Sequence, residues 1–327
     1  MQTDTASAQP ALTSGAVLAA CERIRTSVLK TQLDDASSLI PNAAAKLFFK
    51  REDLQQTGSF KFRGASNKIL SLSRSQAEAG VIAASNGNHG MGVAAAARRA
   101  GIAAEVFVSE HVSPAKTQRI RELGASIRRI GADPLDAELA ARATAEKTGR
   151  VFISPYNDVD VMAGQGTIAV ELLQQAGHMD AVFVAVGGGG LIGGIGTYLK
   201  SASPHTEIVG CWPENSPVLY ESIKAGKIVE VQEHPTVSES TAGGLEPESL
   251  TLEVCRRVID RSVLASEAQI LSAMRLVRDK KGWLMEGAAG VALAAFLKER
   301  ERYQGKTVAV IICGRNLSDK VREELGA

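Results

Sequence analysis

The sequence predicts an α/β protein built on parallel sheets. Short β-branched runs alternate with alanine-rich segments, which is the pattern of strands joined by crossover helices. The polar and glycine clusters follow directly after apolar runs, where open parallel sheets bind their ligands. At 327 residues the chain exceeds the usual size of one compact domain, so we expect two lobes with a cleft between them.

The elements follow from this alternation in chain order. Apolar runs rich in Val, Ile and Phe predict strands, and the segments between them predict helices. The predicted strands are 46–50, 81–85, 103–108, 126–130, 151–153, 181–186, 206–211 and 307–313. The predicted helices are 90–100, 115–123, 135–147, 266–280 and 288–302.

Composition excludes several classes of function. Lys and Arg total 37 against 36 Asp and Glu, so we expect no nucleic-acid partner. The longest apolar stretches, such as 287–297, are shorter than the ~20 residues of a membrane span, so we expect no membrane partner. Residues 1–12 are polar and resemble a frayed tail rather than a signal peptide, which favours a cytoplasmic location. The four cysteines and five histidines form no zinc motif.

The segment GSFKFRGA places Lys61 in a turn that opens a predicted helix. A helix N-terminus disfavours a cation, so the Lys61 amine should be shifted toward its neutral, nucleophilic form. A solvated lysine at a helix start is the alternative for this motif alone.

The segment SNGNHG lies between the strand 81–85 and the helix 90–100. A strand, a tight turn and a helix start leave several backbone N–H groups unpaired and directed at one place, which suits a carboxylate. Ser85 and Asn88 add side-chain donors. Any capped turn also favours Asn, Gly and Ser, so this motif is not decisive by itself.

Four consecutive glycines follow the strand 181–186: Gly187, Gly188, Gly189 and Gly190. Glycines permit close backbone approach, and a following helix start can bind a phosphate. One register also satisfies the dinucleotide fingerprint GxGxxG, with Glu214 about twenty residues later, so a nicotinamide-dependent oxidoreductase is an alternative. Four glycines in a row suit a single compact phosphate equally well.

Taken together, six ordered motifs resemble the serine/threonine dehydratase and serine racemase family, whose pyridoxal-phosphate enzymes share a tryptophan-synthase-β-like fold. They are GSFKFRGA, SNGNHG, AGQGTIAVEL, VGGGGLIGG, EGAAGVALAA and ICGRN, and they extend in order over most of the chain. The resemblance implies two open, mostly parallel sheets with the cofactor in the interdomain cleft. It also implies a large cofactor-binding domain, residues 1–77 and 151–327, and a small mobile substrate-capping domain, residues 78–150.

The resemblance also assigns roles at the site. Lys61 is expected to form the Schiff base with pyridoxal 5'-phosphate, Phe60 to pack beside the ring, and Asn88 to bind the ring hydroxyl. The four glycines and the backbone of Leu191 are expected to hold the phosphate. The remaining expected cofactor contacts are Glu286 and Cys313, and the expected substrate contacts are Ser85, Asn86, Gly87 and His89.

Cys313 would face the pyridine nitrogen, and this suggests the reaction type. A neutral thiol, with an ordinary pKa of about 8.5, is a poor counter-ion for a protonated pyridine. That arrangement suits β-elimination, in which the departing hydroxyl takes up the electrons. We therefore expect a dehydratase that converts a small β-hydroxy amino acid such as threonine or serine to a 2-oxo acid and ammonia, with Lys61 as anchor and general base.

Three departures from the family pattern qualify this expectation. Asn86 stands where serine racemase has its second acid/base serine, so racemisation should be absent or feeble. Metal-dependent relatives have a carboxylate near 239–245, where this chain offers Glu239 and Gly243, so a bound cation is an open alternative. Arg315 replaces a glycine of many relatives and is either a substrate contact or an exposed loop cation.

The substrate and the assembly stay open at this point. Hydroxyectoine-derived amino acids, phenylserine and 3-hydroxyaspartate share the atoms that the motifs recognise, and a racemase on the same scaffold is a further alternative. A binding protein without catalysis would have no use for Lys61. Relatives are commonly homodimers, so a homodimer is expected.

Overall fold

The computed structural model describes residues 11–40 and 45–326. Most of the predicted frayed tail, residues 1–12, lies outside the described residues. Within the described part, ten strands form two sheets. The strands are β1 (Leu33–Asp35), β2 (Lys46–Arg51), β3 (Val81–Ala84), β4 (Ala104–Val108), β5 (Ser126–Arg129), β6 (Val151–Phe152), β7 (Ala181–Ala185), β8 (Glu207–Pro213), β9 (Arg261–Ala265) and β10 (Thr307–Ile312).

The larger sheet has six strands in the order β1-β2-β10-β7-β8-β9. All neighbouring pairs are parallel except β1 and β2, which are antiparallel. The smaller sheet has four parallel strands in the order β5-β4-β3-β6. Parallel neighbours need crossover connections, and helices supply them on the faces of both sheets.

Thirteen α-helices are present among the described residues. They are α1 (Ser14–Ile24), α2 (Lys61–Leu70), α3 (Arg74–Ala79), α4 (Asn88–Ala100), α5 (Pro114–Glu122), α6 (Pro134–Thr148), α7 (Val159–Ala176), α8 (Gly190–Ala202), α9 (Val218–Ala225), α10 (Thr251–Val258), α11 (Glu267–Lys281), α12 (Gly287–Glu299) and α13 (Asp319–Leu325). None of these helices is long and apolar enough to cross a membrane.

Burial explains the composition of the central elements. Every residue of β7, with sequence AVFVA, is buried, because helices cover both faces of the parallel sheet. Helix α12 is rich in Ala and Gly, and its residues from Gly287 to Phe296 are all buried, so small side chains let it lie close to the sheet. Phe183 packs edge to face against both Phe296 and Tyr303 in this core.

Two hydrophobic clusters pack against the smaller sheet. One joins its strands to α4 and α2, and the other joins Ile82 and Phe107 to three alanines of α6. The strands of this sheet all lie between residues 81 and 152. A substrate-capping domain at 78–150 and its mobility stay predictions.

The predicted fold class is confirmed, with small differences at the element ends. Helix α4 begins at Asn88, two residues earlier than predicted, so Asn88 and His89 belong to its first turn. Helix α12 ends at Glu299, and a 3-10 turn continues to Tyr303. The short edge strand β1, with sequence LDD, and the strand β9 carry too few apolar residues to stand out in the sequence.

Candidate active site

One pocket lies where strands β7 and β10 end. Ala185, the last residue of β7, and Cys313, the residue after β10, both line it. This position agrees with the rule that parallel sheets bind ligands at the carboxyl ends of their strands. The full lining is Phe60, Lys61, Asn88, Tyr156, Ala185, Gly187, Gly188, Gly189, Gly190, Leu191, Ser240, Thr241, Glu286, Ala288 and Cys313. Every cofactor contact predicted from the sequence is therefore part of one pocket.

Lys61 presents a buried amine to this pocket. It is the first residue of α2, and the preceding residue is tied to the end of β10 because the Phe60 N–H donates to the Cys313 carbonyl at 3.0 Å. The Lys61 Nζ donates to the Pro155 carbonyl at 2.7 Å. Burial lowers the pKa of Lys61 to about 8, against the opposing attraction of the Glu286 carboxylate. The pKa of Lys61 is thus lowered, as the sequence predicts, but burial rather than the helix N-terminus is the main cause of the shift.

Glu286 contributes a buried carboxyl group to the pocket lining. Its side chain is only 4% exposed. The Asn88 Nδ2 donates to both of its oxygens, at 2.8 and 3.1 Å, and the Ser240 Oγ donates at 3.0 Å. Burial raises the pKa of Glu286, and these hydrogen bonds oppose the rise.

Cys313 contributes a neutral thiol. Burial, and then the nearby Glu286 charge, raise the pKa of Cys313 well above its ordinary value. The Cys313 Sγ lies 3.8 Å from Glu286 Oε1 and can donate a weak hydrogen bond to it. A group in this state cannot act as an anionic partner for a bound cation.

The four glycines form the turn that leads into α8. Gly189 has a φ of +84°, which glycine adopts without strain, and it is the N-cap residue with no side-chain cap. A Cβ on Gly188 would overlap the ring of Tyr156, and one on Gly190 would lie 2.9 Å from the Tyr156 Cα. The first-turn N–H groups of α8 are therefore left for a ligand, and Tyr156 fixes how closely the loop can pack.

The residues of SNGNHG, apart from Asn88, lie outside the pocket lining. The Gly87 N–H donates to the Ser85 Oγ at 3.1 Å, within the turn. Asn86 is bonded to Ser109 in both directions, since its Nδ2 donates to the Ser109 Oγ at 2.9 Å and its Oδ1 accepts from the Ser109 N–H at 3.1 Å. The predicted contacts of Ser85, Asn86 and Gly87 with substrate stay predictions.

His89 is buried beside the site and uncharged. Its Nε2 lies 2.8 Å from the Ile153 carbonyl, which can only accept, so the Nε2 carries the proton. Burial, followed by the charge of Lys61, lowers the pKa of His89 to about 3. A predicted contact of His89 with the substrate carboxylate would therefore involve a neutral ring.

Glu239 is exposed, and its Oε1 accepts a hydrogen bond from the Ser318 Oγ at 2.7 Å. Across the residues that the structure describes, no group of three or more His, Cys, Asp and Glu side chains could hold a metal ion. Backbone carbonyls also bind cations, so a bound cation stays a prediction.

Sequence reasoning missed several residues of the pocket. Ser240 and Thr241 belong to the segment STAGGL, whose sequence pattern indicates only a possible cation site. Tyr156 follows the two-residue strand β6, and its position after a strand end is the one signal that could have pointed to it. Asn316 does not line the pocket but contacts a residue that does, since its Nδ2 donates to the Asn88 Oδ1 at 2.6 Å.

Arg63, two residues after Lys61, anchors α2 through buried ion pairs to residues beside the larger sheet. Its side chain is fully buried, and its guanidinium donates to Glu52 at 2.7 Å and to Glu171 at 2.7 Å. Lys50 completes the cluster, since its Nζ donates to Glu171 at 2.6 Å. These pairs join β2, α2 and α7, so they fix the helix on which Lys61 stands.

The fold and the pocket together define an α/β enzyme in which a buried lysine amine and a glycine-lined helix N-terminus share one pocket. A model of the family described as pyridoxal-phosphate dependent enzyme matches residues 24–314. The chain belongs to this family.

Relatives support the assignment. The L-threonine ammonia-lyase of Thermotoga maritima is 37% identical over 294 residues, covering 90% of this chain and 73% of that protein. The beta-hydroxyaspartate dehydratase of Paracoccus denitrificans is 36% identical over 301 residues, covering 92% of this chain and 95% of that protein. The structure is similar to that of maize serine racemase, with a TM-score of 0.90 at 29% identity over 96% of this chain and 97% of that one.

The residues of the pocket fit pyridoxal phosphate. An aldehyde needs a neutral amine, and Lys61 has a lowered pKa of about 8. A phosphate needs unpaired donors, and the uncapped first turn of α8 leaves backbone N–H groups available. Substituents at Gly188 or Gly190 would displace Tyr156, so the glycines keep the loop in the shape that the pocket requires.

Proposed function

We propose that this enzyme eliminates water from a small β-hydroxy amino acid and releases a 2-oxo acid and ammonia. The observation that carries the proposal is the buried Lys61 amine, with a pKa of about 8, in the same pocket as the tetraglycine turn and the neutral Cys313 thiol. The names of the Thermotoga and Paracoccus relatives describe a reaction of this class.

Pyridoxal phosphate, when bound, supplies an aldehyde that amines attack and a conjugated ring that stabilises negative charge at the substrate's α-carbon. Lys61 would be the covalent anchor, because its buried amine has a lowered pKa and can attack an aldehyde. The first-turn N–H groups of α8, including that of Leu191, would hold the phosphate, Phe60 would pack beside the ring, and Asn88 would donate to the ring oxygen.

Lys61 would also be the general base, since its amine would take the α-proton of a substrate bound at the cofactor. Because the pKa of Lys61 is about 8, about half of its amine is neutral near pH 8. The amine can therefore accept a proton and later return it. The Pro155 carbonyl, 2.7 Å from Nζ, holds the charged form in place. Cys313 stays a neutral thiol and adds no counter-charge, which favours departure of the hydroxyl over reactions that need a stronger electron sink.

The substrate carboxylate binds at the turn before α4. That turn combines a helix N-terminus with the Ser85 side chain and with backbone N–H groups near Gly87, and neutral His89 borders it. Asn86, bonded to Ser109 at both ends of its amide, cannot exchange a proton with the substrate, so racemisation is absent or feeble.

Threonine and serine are the first substrates to test, and 3-hydroxyaspartate, phenylserine and hydroxyectoine-derived amino acids follow. Each compound is assayed for both ammonia and 2-oxo acid, and chiral analysis measures any D-amino acid. The Lys61→Ala variant should lose activity by several orders of magnitude, whereas Lys147→Ala, which removes an exposed lysine of α6, should keep it. A Lys61→Ala variant that retains full activity would overturn the proposal.

The homodimer, the cytoplasmic location and any bound cation remain predictions from the sequence. Sedimentation or light scattering of the purified enzyme measures its oligomeric state. Assays after exhaustive chelation, with and without added cations, measure whether a cation is required.

A further inference from the structure

The Asn88 amide is held by defined partners on both of its sides. On one side its Nδ2 faces the two Glu286 oxygens, at 2.8 and 3.1 Å. On the other side its Oδ1 faces the Asn316 Nδ2 at 2.6 Å. An asparagine amide can turn by 180° with little change in shape, so only such partners decide which atom points where.

Each partner allows one orientation of Asn88. The Glu286 oxygens already accept from Ser240 Oγ and from the Asn316 backbone N–H, so they call for a donor from Asn88 as well. The orientation of Asn316 is itself set, because its Nδ2 also donates at 3.0 Å to the Thr57 carbonyl, which can only accept. The amide oxygen of Asn88 must therefore face Asn316, and its nitrogen must face Glu286.

Two glycines make room for these partners. A Cβ on Gly58 would lie 2.9 Å from the Asn316 Oδ1, and a Cβ on Gly314 would lie 2.6 Å from Glu286 Oε2. The loops that carry them are joined by backbone hydrogen bonds from Arg315 N–H to the Gly58 carbonyl and from Glu286 N–H to the Gly314 carbonyl, both at 3.0 Å. The backbone is thus shaped around the side chains of Asn316 and Glu286.

We propose that Glu286 and Asn316 are positioning residues that lock the Asn88 amide so that it offers the cofactor's ring oxygen a donor and never an acceptor. The proposal rests on the proposed function. The Asn88 Oδ1 is occupied by Asn316. Because the two Glu286 oxygens belong to one carboxylate, a single Nδ2 hydrogen can serve both of them, and the second Nδ2 hydrogen is then the group that Asn88 offers a ligand. A donor at that position stabilises the ionised ring oxygen over the protonated one.

The test compares cofactor-loaded variants by absorption spectroscopy across pH 6 to 9. The two protonation states of the bound cofactor absorb at different wavelengths, so the ratio of the two bands reports on the ring oxygen. Asn88→Ala is the reference for losing the donor. Asn316→Ala, at an exposed position, should fold, and Asn215→Ala is the matched control because the Asn215 Nδ2 also donates to a backbone carbonyl, that of Pro235.

We expect Asn316→Ala to change the band ratio in the same direction as Asn88→Ala, by about 3- to 10-fold, the range that one weakened hydrogen bond produces. Asn316→Asp, which replaces the donor facing Asn88 by an acceptor, should change it further, and Asn215→Ala should not change it. A purely structural role would lower the melting temperature of Asn316→Ala and leave its spectrum unchanged, which contradicts the proposal.

Failure of this inference is distinct from failure of the proposed function. If the wild-type protein binds the cofactor and only Asn88→Ala alters the bands, the positioning role is wrong and the proposed function stands. If the wild-type protein shows no cofactor band, both are overturned.

Discussion

At the residue scale, the chemistry of the site depends on burial more than on any single charge. Burial is the largest cause of the altered pKa values of Lys61, His89, Glu286 and Cys313. In all four groups burial favours the uncharged form, and for Glu286 the hydrogen bonds from Asn88 and Ser240 oppose it. The sequence could identify Lys61 and the glycines because their motifs are local, but it could not reveal burial.

The lowered pKa of Lys61 predicts how the apoprotein takes up its cofactor. Only the neutral amine attacks an aldehyde, so the rate of uptake should rise about tenfold per pH unit below pH 8 and become constant above it. Stopped-flow absorption after mixing the apoprotein with pyridoxal phosphate between pH 6.5 and 10 measures this. A rate that continues to rise toward pH 10 would indicate an ordinary lysine.

His89 predicts a loss of stability in mild acid. Its pKa is about 3 in the folded protein, below the ordinary value of 6.5, so the unfolded chain binds more protons between these values. Its contribution to stability is complete above pH 6.5 and declines by ~1.4 kcal/mol per unit as the pH falls toward 3.

The free energy of unfolding, measured in urea between pH 7 and pH 4.5, should therefore depend less steeply on pH in His89→Gln, whose amide can still donate to the Ile153 carbonyl. The matched control is His205→Gln, at an exposed position, which should follow the wild-type curve. Parallel curves for wild type and His89→Gln would contradict the assigned pKa.

At the element scale, the ends of strands and helices set the positions of the functional groups. The sequence predicts the main strands because their apolar runs are continuous, and it places the glycine turn correctly after β7. It does not predict that Tyr156 packs on that turn or that Asn316 reaches Asn88, since both contacts join segments far apart in the chain. Such pairings are fixed by tertiary packing, not by local pattern.

Arg63 holds helix α2 in place through its buried ion pairs with Glu52 and Glu171. Replacing it by Met leaves Glu52, which is fully buried, without its ion-pair partner, and leaves Glu171 with Lys50 alone. Breaking a buried ion pair typically costs about 3 to 5 kcal/mol, and we expect a loss of this size in the free energy of unfolding. Arg74→Met, which removes an exposed pair with Glu78, should change it by less than about 1 kcal/mol. Equal effects of the two variants in urea titrations would argue against the anchor.

The glycine turn predicts a defect in cofactor binding. In Gly188→Ala the new methyl group overlaps the Tyr156 ring, so the turn or the ring must move and the cofactor should bind at least ~10-fold more weakly. Gly244→Ala is the matched control, because a Cβ there meets nothing within 4 Å. Fluorescence titration with pyridoxal phosphate measures both variants, and equal affinity for Gly188→Ala and wild type would contradict the packing argument.

At the scale of the whole molecule, the fold brings distant segments to one pocket. Residues from 60 to 313 meet where β7 and β10 end, and the predicted family, fold class and dehydratase-type reaction agree with the comparisons. The order of the strands could not be predicted, because β2 and β10 are neighbours although more than two hundred residues separate them. The substrate stays open for the same reason, since its pocket depends on side chains from many segments.

The central claim is that the cofactor is joined to Lys61. Borohydride reduction of the loaded protein, followed by proteolysis and mass spectrometry, should find the phosphopyridoxyl group on the peptide that contains Lys61, with no other lysine modified in stoichiometric amount. A stoichiometric label on a different lysine, or no label on a protein that is fully active, would contradict the account.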